Sequence, residues 1–173
     1  MVIRIVFKIF HLIYTHVMKY LRSYKMFEFR QQPTETVVGL LIKSRSTGRI
    51  FLVQRNDRNR YWSLLSGGQD ETDTDDIHTI KREMKEELRM SNPDSVEMVK
   101  IDDEIVAGGR RLFKYYQGFV DEEFSVILDD ENISWGWFDP KGLSKVNGVS
   151  NMFGLPKRLY PGLIEKIQNI CEK

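Results

Sequence analysis

The most constraining feature of this sequence is a short apolar strand that ends in two glycines and leads through a polar loop into a helix. Residues 62–65 form the apolar strand, and Gly67 and Gly68 follow it. Apolar residues then recur every three or four positions over residues 77–90, which predicts an amphipathic helix that stops before Pro93. Because glycine has no side chain, the segment predicts a strand–loop–helix unit whose backbone approaches a ligand closely.

The rest of the chain predicts strands on both sides of this helix. Five further segments have strand-like apolar patterning, and they are residues 36–43, 49–54, 96–106, 111–120 and 134–138. Turn residues separate the first two of these segments and the next two, which predicts two hairpins. A closing amphipathic helix is predicted over residues 161–172. Strands before and after a central helix predict a mixed α/β sandwich in one domain.

The charge of the chain is almost balanced, with 26 Lys and Arg against 25 Asp and Glu and a formal net charge of +1. So small a net charge gives no field that would attract an acidic partner, and the sequence has no clear nucleic-acid patch. The one cysteine, Cys171, cannot form an internal disulfide, and no Cys/His cluster has the spacing of a zinc site. These observations predict a reducing, cytoplasmic compartment.

Residues 1–25 differ from the rest, because they contain five basic residues and no acidic one. Their spacing predicts a basic amphipathic helix, which is typical of a peripheral membrane contact. Lysines interrupt its apolar run, which argues against a membrane-spanning helix and a signal peptide. Two other interpretations stay open. The helix covers an apolar patch on its own domain or on a second subunit in a dimer, or translation begins at Met18 or Met26. The predicted functional domain is therefore residues 26–173.

Three glutamates of the central helix, Glu83, Glu86 and Glu87, have the spacing that places them on one helical face. Carboxylates crowded in this way repel one another, and Mg²⁺ or Mn²⁺ removes the repulsion by binding their oxygens. Arg82 can orient one of these glutamates with its planar guanidinium. The alternative is a solvated acidic face with neighbouring lysines. These residues alone favour the solvated face, so the surrounding sequence decides between the two.

The surrounding sequence resembles the Nudix box, G-x5-E-x7-R-E-U-x-E-E-x-G-U, in which U is a bulky apolar residue. The positions in register are Gly68, Arg82, Glu83, Met84, Glu86, Glu87 and Met90. Residues 62–68 and 131–138 are similar to the segments that flank the box in that family, so the resemblance covers about residues 37–138. It implies a Nudix-type α/β/α sandwich with a mixed central sheet.

The resemblance also implies a metal-dependent hydrolase that cleaves the diphosphate linkage of a nucleoside diphosphate joined to another moiety. ADP-ribose, dinucleoside polyphosphates, nucleotide sugars and capped RNA are all open as substrates. The implied cofactor is Mg²⁺ or Mn²⁺, and the candidate metal ligands are Glu83, Glu86, Glu87 and Gly68. The catalytic candidates are Glu83, Glu86, Glu87, Arg82 and Glu131, with either a helix glutamate or Glu131 as the general base.

Residues around the loop are candidates for substrate binding, and they are Gly67, Gly68, Arg55, Arg60 and Trp62. Arginines there can bind phosphates or a sugar, although arginines in loops are mostly solvated. Aromatic residues near the site can stack on a base, and the candidates are Trp62, Tyr116, Trp135 and Trp137. Aromatic residues in strands more often belong to the core, so both interpretations stay open.

Two positions depart from the box. Thr74 stands where the family has its first glutamate, and Asp73, Asp75 or Glu71 are nearby carboxylates that can replace it. Arg89 stands where the family has glycine, which predicts a helix that continues to about residues 91–93. A second hypothesis follows from the first departure: a catalytically degenerate Nudix-like domain that binds nucleotides as a sensor.

Overall fold

The computed structural model describes residues 33–143 and 159–171 together with Tyr14, and the predicted strands and helices form in it with one difference among the strands. The strand predicted over residues 62–65 is divided into two short strands, and the second of them includes Gly67 and Gly68. The strands are β1 (Glu35–Ser44), β2 (Ile50–Arg55), β3 (Trp62–Ser63), β4 (Leu65–Gly68), β5 (Glu97–Val106), β6 (Arg111–Val120) and β7 (Asn132–Phe138). The helices are α1 (Asp76–Leu88), α2 (Pro140–Leu143) and α3 (Leu163–Cys171), and short 3₁₀ turns occur at Pro93–Ser95 and Ala107–Gly109.

Most of the basic N-terminal segment lies outside the described residues. Within residues 1–25 only Tyr14 is described, and it is helical and exposed. The interpretations of this segment therefore stay predictions, as does the domain boundary at residue 26. In the part of the chain that is described, no helix is both long and apolar enough to cross a membrane.

The sheet is mixed and is organised around β1. Strand β1 runs parallel to β6 along its whole length, from Glu35 opposite Arg111 to the last residues of both strands. Its other edge pairs antiparallel with β4 near Val38 and with β2 near Ile42. Strand β5 pairs antiparallel with β6, and β7 pairs antiparallel with β2. Both predicted hairpins, β1–β2 and β5–β6, are therefore confirmed.

Each face of the sheet is covered by helices. On one face Ile80, Met84 and Leu88 of α1 are at most 2% exposed and pack against the sheet. On the other face the apolar side chains of α2 and α3, including Leu143 and Ile167, pack against the alternate residues of β1 and β2. Each such buried Leu- or Ile-sized side chain contributes about 1.5–3 kcal/mol. The two apolar layers confirm the predicted α/β/α sandwich with a mixed central sheet.

The end of helix α1 differs from the prediction. The expected continuation to residues 91–93 is wrong, because α1 ends at Leu88 and Arg89 adopts the left-handed conformation, with φ 49° and ψ 31°. The Met90 N–H then donates to the Met84 carbonyl at 3.1 Å, which closes the helix as a terminal glycine would. Arg89 therefore occupies the backbone conformation for which glycine is normally selected.

Replacing Arg89 with glycine is expected to raise the free energy of unfolding by about 0.5–1 kcal/mol, because glycine adopts positive φ without steric cost. Urea unfolding of the two proteins measures the difference. Arg89→Ala is the matched control, since it removes the side chain but keeps the Cβ atom that causes the strain. A less stable glycine variant would contradict the left-handed assignment.

Candidate active site

A cleft of ≈ 1430 Å³ opens beside the glycines that end β4. One part of it, here called the glutamate half, is lined by Gly67, Gly68, Glu83, Glu87, Arg55 and Glu131. The other part, here called the aromatic half, is lined by residues of β5, β6 and α3, among them Glu104, Arg111, Phe113, Tyr115 and Lys166. The cleft therefore brings together six of the candidate site residues singled out in the sequence, and adds a region that was not predicted.

Gly67 is required because Glu83 occupies the space where a side chain would lie. A Cβ atom at Gly67 would be 1.9 Å from Glu83 Oε1, whereas a Cβ atom at Gly68 would meet nothing within 4 Å. The sequence predicted a close approach of a ligand to this backbone. In the structure the group that approaches closely is the carboxylate of Glu83, which is thereby held against β4 at the cleft wall.

Arg82 connects helix α1 to the loop that precedes it. Its Nη1 lies 2.8 Å from Glu83 Oε1 and 2.8 Å from Glu86 Oε2. Its Nη2 donates to the Gly68 carbonyl at 2.8 Å, so this candidate metal ligand already accepts a hydrogen bond. These contacts are those expected of a residue that orients a glutamate.

Asp73, the residue before Thr74, is a carboxylate that contacts Arg82. Its side chain is 0% exposed and accepts from Arg82 Nη2 at 3.0 Å and from the Asp70 N–H at 3.0 Å. His78 Nδ1 lies 2.9 Å from the same carboxylate. The hydrogen bond from Arg82 is the main reason that the pKa of Asp73 lies far below its ordinary range. Asp73 is therefore an ionised partner of Arg82 at neutral pH.

The other two replacement candidates have different surroundings. The Asp75 carboxylate accepts from the His78 N–H at 2.8 Å and caps the start of α1, so its position is fixed by the helix end. Glu71 is exposed and lines the cleft. Of the three carboxylates near Thr74, Asp73 is thus the one that holds Arg82.

Glu87 is the most deeply buried of the three helix glutamates, with 2% of the residue exposed. Asn132 Nδ2 donates to its Oε2 at 2.6 Å. Burial raises the pKa of Glu87 to about 7. Burial also raises the pKa of Glu83, against the opposing effect of Arg82. Asn132 was not predicted from the sequence, because an Asn at the start of a strand carries no distinctive pattern.

Glu86 is placed differently from its two neighbours. Its side chain is 57% exposed, pairs with Arg82 and does not line the cleft. Among residues 33–143 and 159–171, no three His, Cys, Asp or Glu side chains converge as a ready metal site. Glu86 would therefore join a metal bound in the cleft only by turning away from Arg82.

Glu83 and Glu87 nevertheless have the chemistry that suits a divalent cation. Both carboxylates face the same cleft, and both are withdrawn from water, which disfavours their ionised forms. A bound cation would favour ionisation and offset that cost. In addition, Ser63 Oγ and Asn132 Oδ1 are buried without a hydrogen-bond partner in the described part of the chain, and Asn132 contacts Glu87. A hydrated cation such as Mg²⁺ brings water donors for such oxygens.

Glu131 reaches the glutamate half from a loop that is attached at both sides. Its carbonyl accepts from the Asn56 N–H at 2.7 Å, and its Oε2 lies 3.4 Å from Arg55 Nη2. The loop is also joined to α1, because the Asp129 N–H donates to the Glu87 carbonyl at 3.1 Å. The Glu131 side chain is 62% exposed, so its carboxylate is accessible in the cleft beside the buried glutamates.

Several substrate-binding candidates lie elsewhere. Arg60 is exposed and does not line the cleft, and Trp62 packs edge-on against Phe138 with ring centroids 4.9 Å apart. Tyr116, Trp135 and Trp137 belong to the core beneath α1. The core interpretation of these aromatic residues is the one that their contacts support. Phe113 and Tyr115, which were not singled out, are a stacked aromatic pair that lines the cleft, and Tyr160 lines it as well.

A family model described as the NUDIX domain matches residues 33–157. The chain belongs to the Nudix family. The family assignment made from the box is thereby confirmed. Membership of this family also supports the prediction of a Nudix-type pyrophosphohydrolase. No curated protein matches the sequence significantly.

Solved structures agree with the Nudix fold. The E. coli dihydroneopterin triphosphate pyrophosphohydrolase has a TM-score of 0.60 at 13% identity, covering 79% of this chain and 94% of that one. The NUDIX domain of Shewanella oneidensis NrtR, complexed with ADP-ribose, has a TM-score of 0.59 at 18% identity, covering 90% and 96%. A C. elegans Ap4A hydrolase has a TM-score of 0.56 at 19% identity, covering 80% and 96%. At these identities the similarity establishes the fold.

Proposed function

We propose that this Nudix protein hydrolyses the diphosphate linkage of a nucleoside diphosphate joined to another moiety, with Mg²⁺ or Mn²⁺ as cofactor. The observation that carries the proposal is that the Glu83 side chain, which is only 12% exposed, and the buried Glu87 line the wall of one cleft. Burying two acidic groups together is unfavourable unless a cation compensates them. A cation bound between these two carboxylates would offset this cost and would supply positive charge for a diphosphate substrate.

The cation would be held by Glu83 and Glu87, where it supplies positive charge that neutralises the diphosphate and favours ionisation of a water molecule. The chain's own groups do the rest. Arg82 fixes Glu83, and Asn132 fixes Glu87, so both carboxylates are oriented before substrate binds. Glu131 is accessible in the cleft and can accept the proton of the attacking water. Arg55, beside Glu131, can contact a phosphate oxygen.

The structural neighbours support a phosphoanhydride substrate. Their names refer to dihydroneopterin triphosphate, ADP-ribose and Ap4A, which are all compounds with linked phosphates. Two of the three, ADP-ribose and Ap4A, contain a nucleoside diphosphate joined to another group. A nucleotide derivative is therefore the substrate class that we propose for this chain.

A nucleotide-binding domain without catalytic activity is the second candidate. Thr74 at a glutamate position and the pairing of Glu86 with Arg82 outside the cleft favour it. The contact of Asp73 with Arg82 favours the enzyme, because it gives Arg82 a carboxylate partner although the family's glutamate is absent at Thr74. Turnover measurements decide between the two candidates.

We expect the full-length protein to release nucleotide from at least one of four substrates: ADP-ribose, diadenosine tetraphosphate, a nucleotide sugar and capped RNA. Activity should require Mg²⁺ or Mn²⁺ and fall by ~10²-fold or more in EDTA. The reason is that the charge of such a cation typically stabilises the transition state by several kcal/mol. Chromatographic separation of the products measures the reaction. Nucleotide binding without turnover in either metal would favour the second candidate.

A further inference from the structure

The aromatic half of the cleft contains a stacked pair of rings. Phe113 and Tyr115 are two residues apart on β6 and therefore point to the same side of the sheet. Their ring centroids are 4.6 Å apart and their planes are inclined by 27°. Both side chains are partly exposed, and both line the cleft. The pair therefore presents aromatic surface to whatever occupies this half.

The position of this pair is fixed by its neighbours. A Cβ atom at Gly39 of β1 would be 2.5 Å from the Phe113 ring, so the glycine allows this ring to lie against the β1 backbone. The Lys166 ammonium group of α3 lies 4.1 Å from the centroid of the Tyr115 ring. The pair is thus held between the sheet and the C-terminal helix, and a ligand would meet a preorganised surface.

The charges of this half argue against phosphate as its ligand. Lys166 Nζ lies 3.1 Å from Asp102 and 3.0 Å from Glu104, and Arg111 Nε lies 2.6 Å from Glu35. Both basic side chains that line this half in the described part of the chain are therefore paired with carboxylates. An uncharged, planar group with polar edges matches aromatic faces surrounded by such paired charges.

We propose that Phe113 and Tyr115 form a stacking site for the nucleobase of the substrate. The proposal rests on the proposed function for the position of the phosphates, which reach Glu83 and Glu87 in the glutamate half. The cleft is continuous between the two halves, and its volume of ≈ 1430 Å³ exceeds the range of roughly 300–1,000 Å³ that small-ligand sites usually have. It therefore has room for a base and a diphosphate together.

A binding experiment that needs no turnover tests this site. The probes are AMP and ribose 5-phosphate, which share a sugar phosphate and differ in the base, titrated calorimetrically into full-length protein with Mg²⁺. We expect AMP to bind about tenfold more tightly or better, because stacking of one base contributes that much. Equal binding of the two probes, or no measurable AMP binding at millimolar concentration, would overturn the proposal.

Phe113→Leu identifies the surface that is responsible, since leucine keeps an apolar side chain but removes the aromatic face. The variant should lose about fivefold or more in AMP affinity and bind ribose 5-phosphate unchanged. Phe119→Leu is the matched control, because Phe119 lies on the same strand and the same side of the sheet but does not line the cleft. It should bind both probes as the wild type does.

Two further comparisons complete the test. If Phe113→Leu has an altered circular dichroism spectrum, Tyr115→Leu replaces it with the same expectation. Wild-type AMP affinity in a correctly folded variant would overturn the stacking site. The outcome is independent of hydrolysis, because AMP has no phosphoanhydride bond. Absence of turnover on all four substrates would remove the proposed function, whereas loss of AMP binding in Phe113→Leu would still support the base site.

Discussion

Replacing Glu87 with glutamine is expected to lower turnover by ~10²-fold or more while the fold is retained. Glutamine has almost the same shape and can still accept the hydrogen bond that Asn132 donates at 2.6 Å. It cannot carry the negative charge that binds a cation in the cleft. The measurement is kcat on whichever of the four substrates is hydrolysed, at saturating Mg²⁺.

Two other variants show which carboxylates matter. Glu122→Gln makes the same chemical change at an exposed residue that does not line the cleft, and it should retain full activity. Glu86→Gln tests whether Glu86 turns from Arg82 to the cation during the reaction. A loss as large as that of Glu87→Gln would show that it does. Wild-type turnover in Glu87→Gln would contradict the assignment of Glu87 as a metal ligand.

Glu87→Gln is also expected to change how the free energy of unfolding depends on pH. The folded-state pKa of Glu87, about 7, lies above its ordinary value of 4.5. Between these values the folded protein binds more protons than the unfolded chain, so the free energy of unfolding falls as the pH rises from about 4.5 to about 7. A shift of this size corresponds to about 3 kcal/mol at most. The destabilisation is complete above pH 7, and Glu87→Gln lacks it.

We therefore expect Glu87→Gln to be more stable than the wild type at pH 8 in EDTA, and the two to differ least at pH 5. Urea unfolding at the two pH values measures this difference. Added Mg²⁺ should stabilise the wild type at pH 8 and leave the variant nearly unchanged, because ligand that binds only the folded state raises its stability. The same pH dependence in both proteins would contradict the raised pKa.

The sequence predicted the sandwich well because apolar periodicity and burial have the same physical origin. Ile80, Met84 and Leu88 recur at helical spacing, and all three are buried beneath the sheet. The two hairpins followed from turn residues between apolar strands. The end of α1 could not be predicted in this way. Whether Arg89 tolerates a left-handed conformation depends on the chain that follows it, and local sequence preference favours a longer helix.

The cleft was only partly predictable for a related reason. Box spacing identified Glu83 and Glu87 as residues of the cleft, because both lie on the same helix. The same spacing included Glu86, which instead pairs with Arg82 outside the cleft. Phe113 and Tyr115 reach the cleft because β6 pairs in parallel with β1, a contact between residues far apart in the chain. The signal available in the sequence was their alternation along the strand, which indicates a shared side of the sheet but not what that side faces.

The role of Asp73 was also not predictable from motif spacing alone. The family glutamate position is Thr74, yet the carboxylate that contacts Arg82 comes from the preceding residue. The turn from Asp70 to Asp73 makes this possible, because the Asp70 N–H donates a hydrogen bond to the Asp73 carboxylate at 3.0 Å. Arg82 therefore has a carboxylate partner although Thr74 stands at the motif's glutamate position.

This arrangement leads to the second large expected effect. Asp73→Asn should lower turnover by about 10–100-fold, because outer partners that orient metal-binding residues typically contribute that much. It should also reduce the free energy of unfolding by about 2–3 kcal/mol. This loss is smaller than that for a fully buried ion pair, because the Arg82 side chain is 21% exposed and solvent screens its charge. Asp75→Asn is the matched control, since asparagine still caps a helix and the charge change is the same.

Thr74→Glu then shows whether the two positions are equivalent. In the wild-type background it should change turnover by no more than about twofold, because Arg82 already has its carboxylate partner. In the Asp73→Asn background, Thr74→Glu should restore most of the lost turnover, because it places a carboxylate at the residue next to position 73. Failure to restore it would mean that Asp73 has a role beyond holding Arg82. A wild type that binds nucleotide but turns over only after Thr74→Glu would instead identify the chain as a sensor, with Thr74 as the residue that removed its catalytic activity.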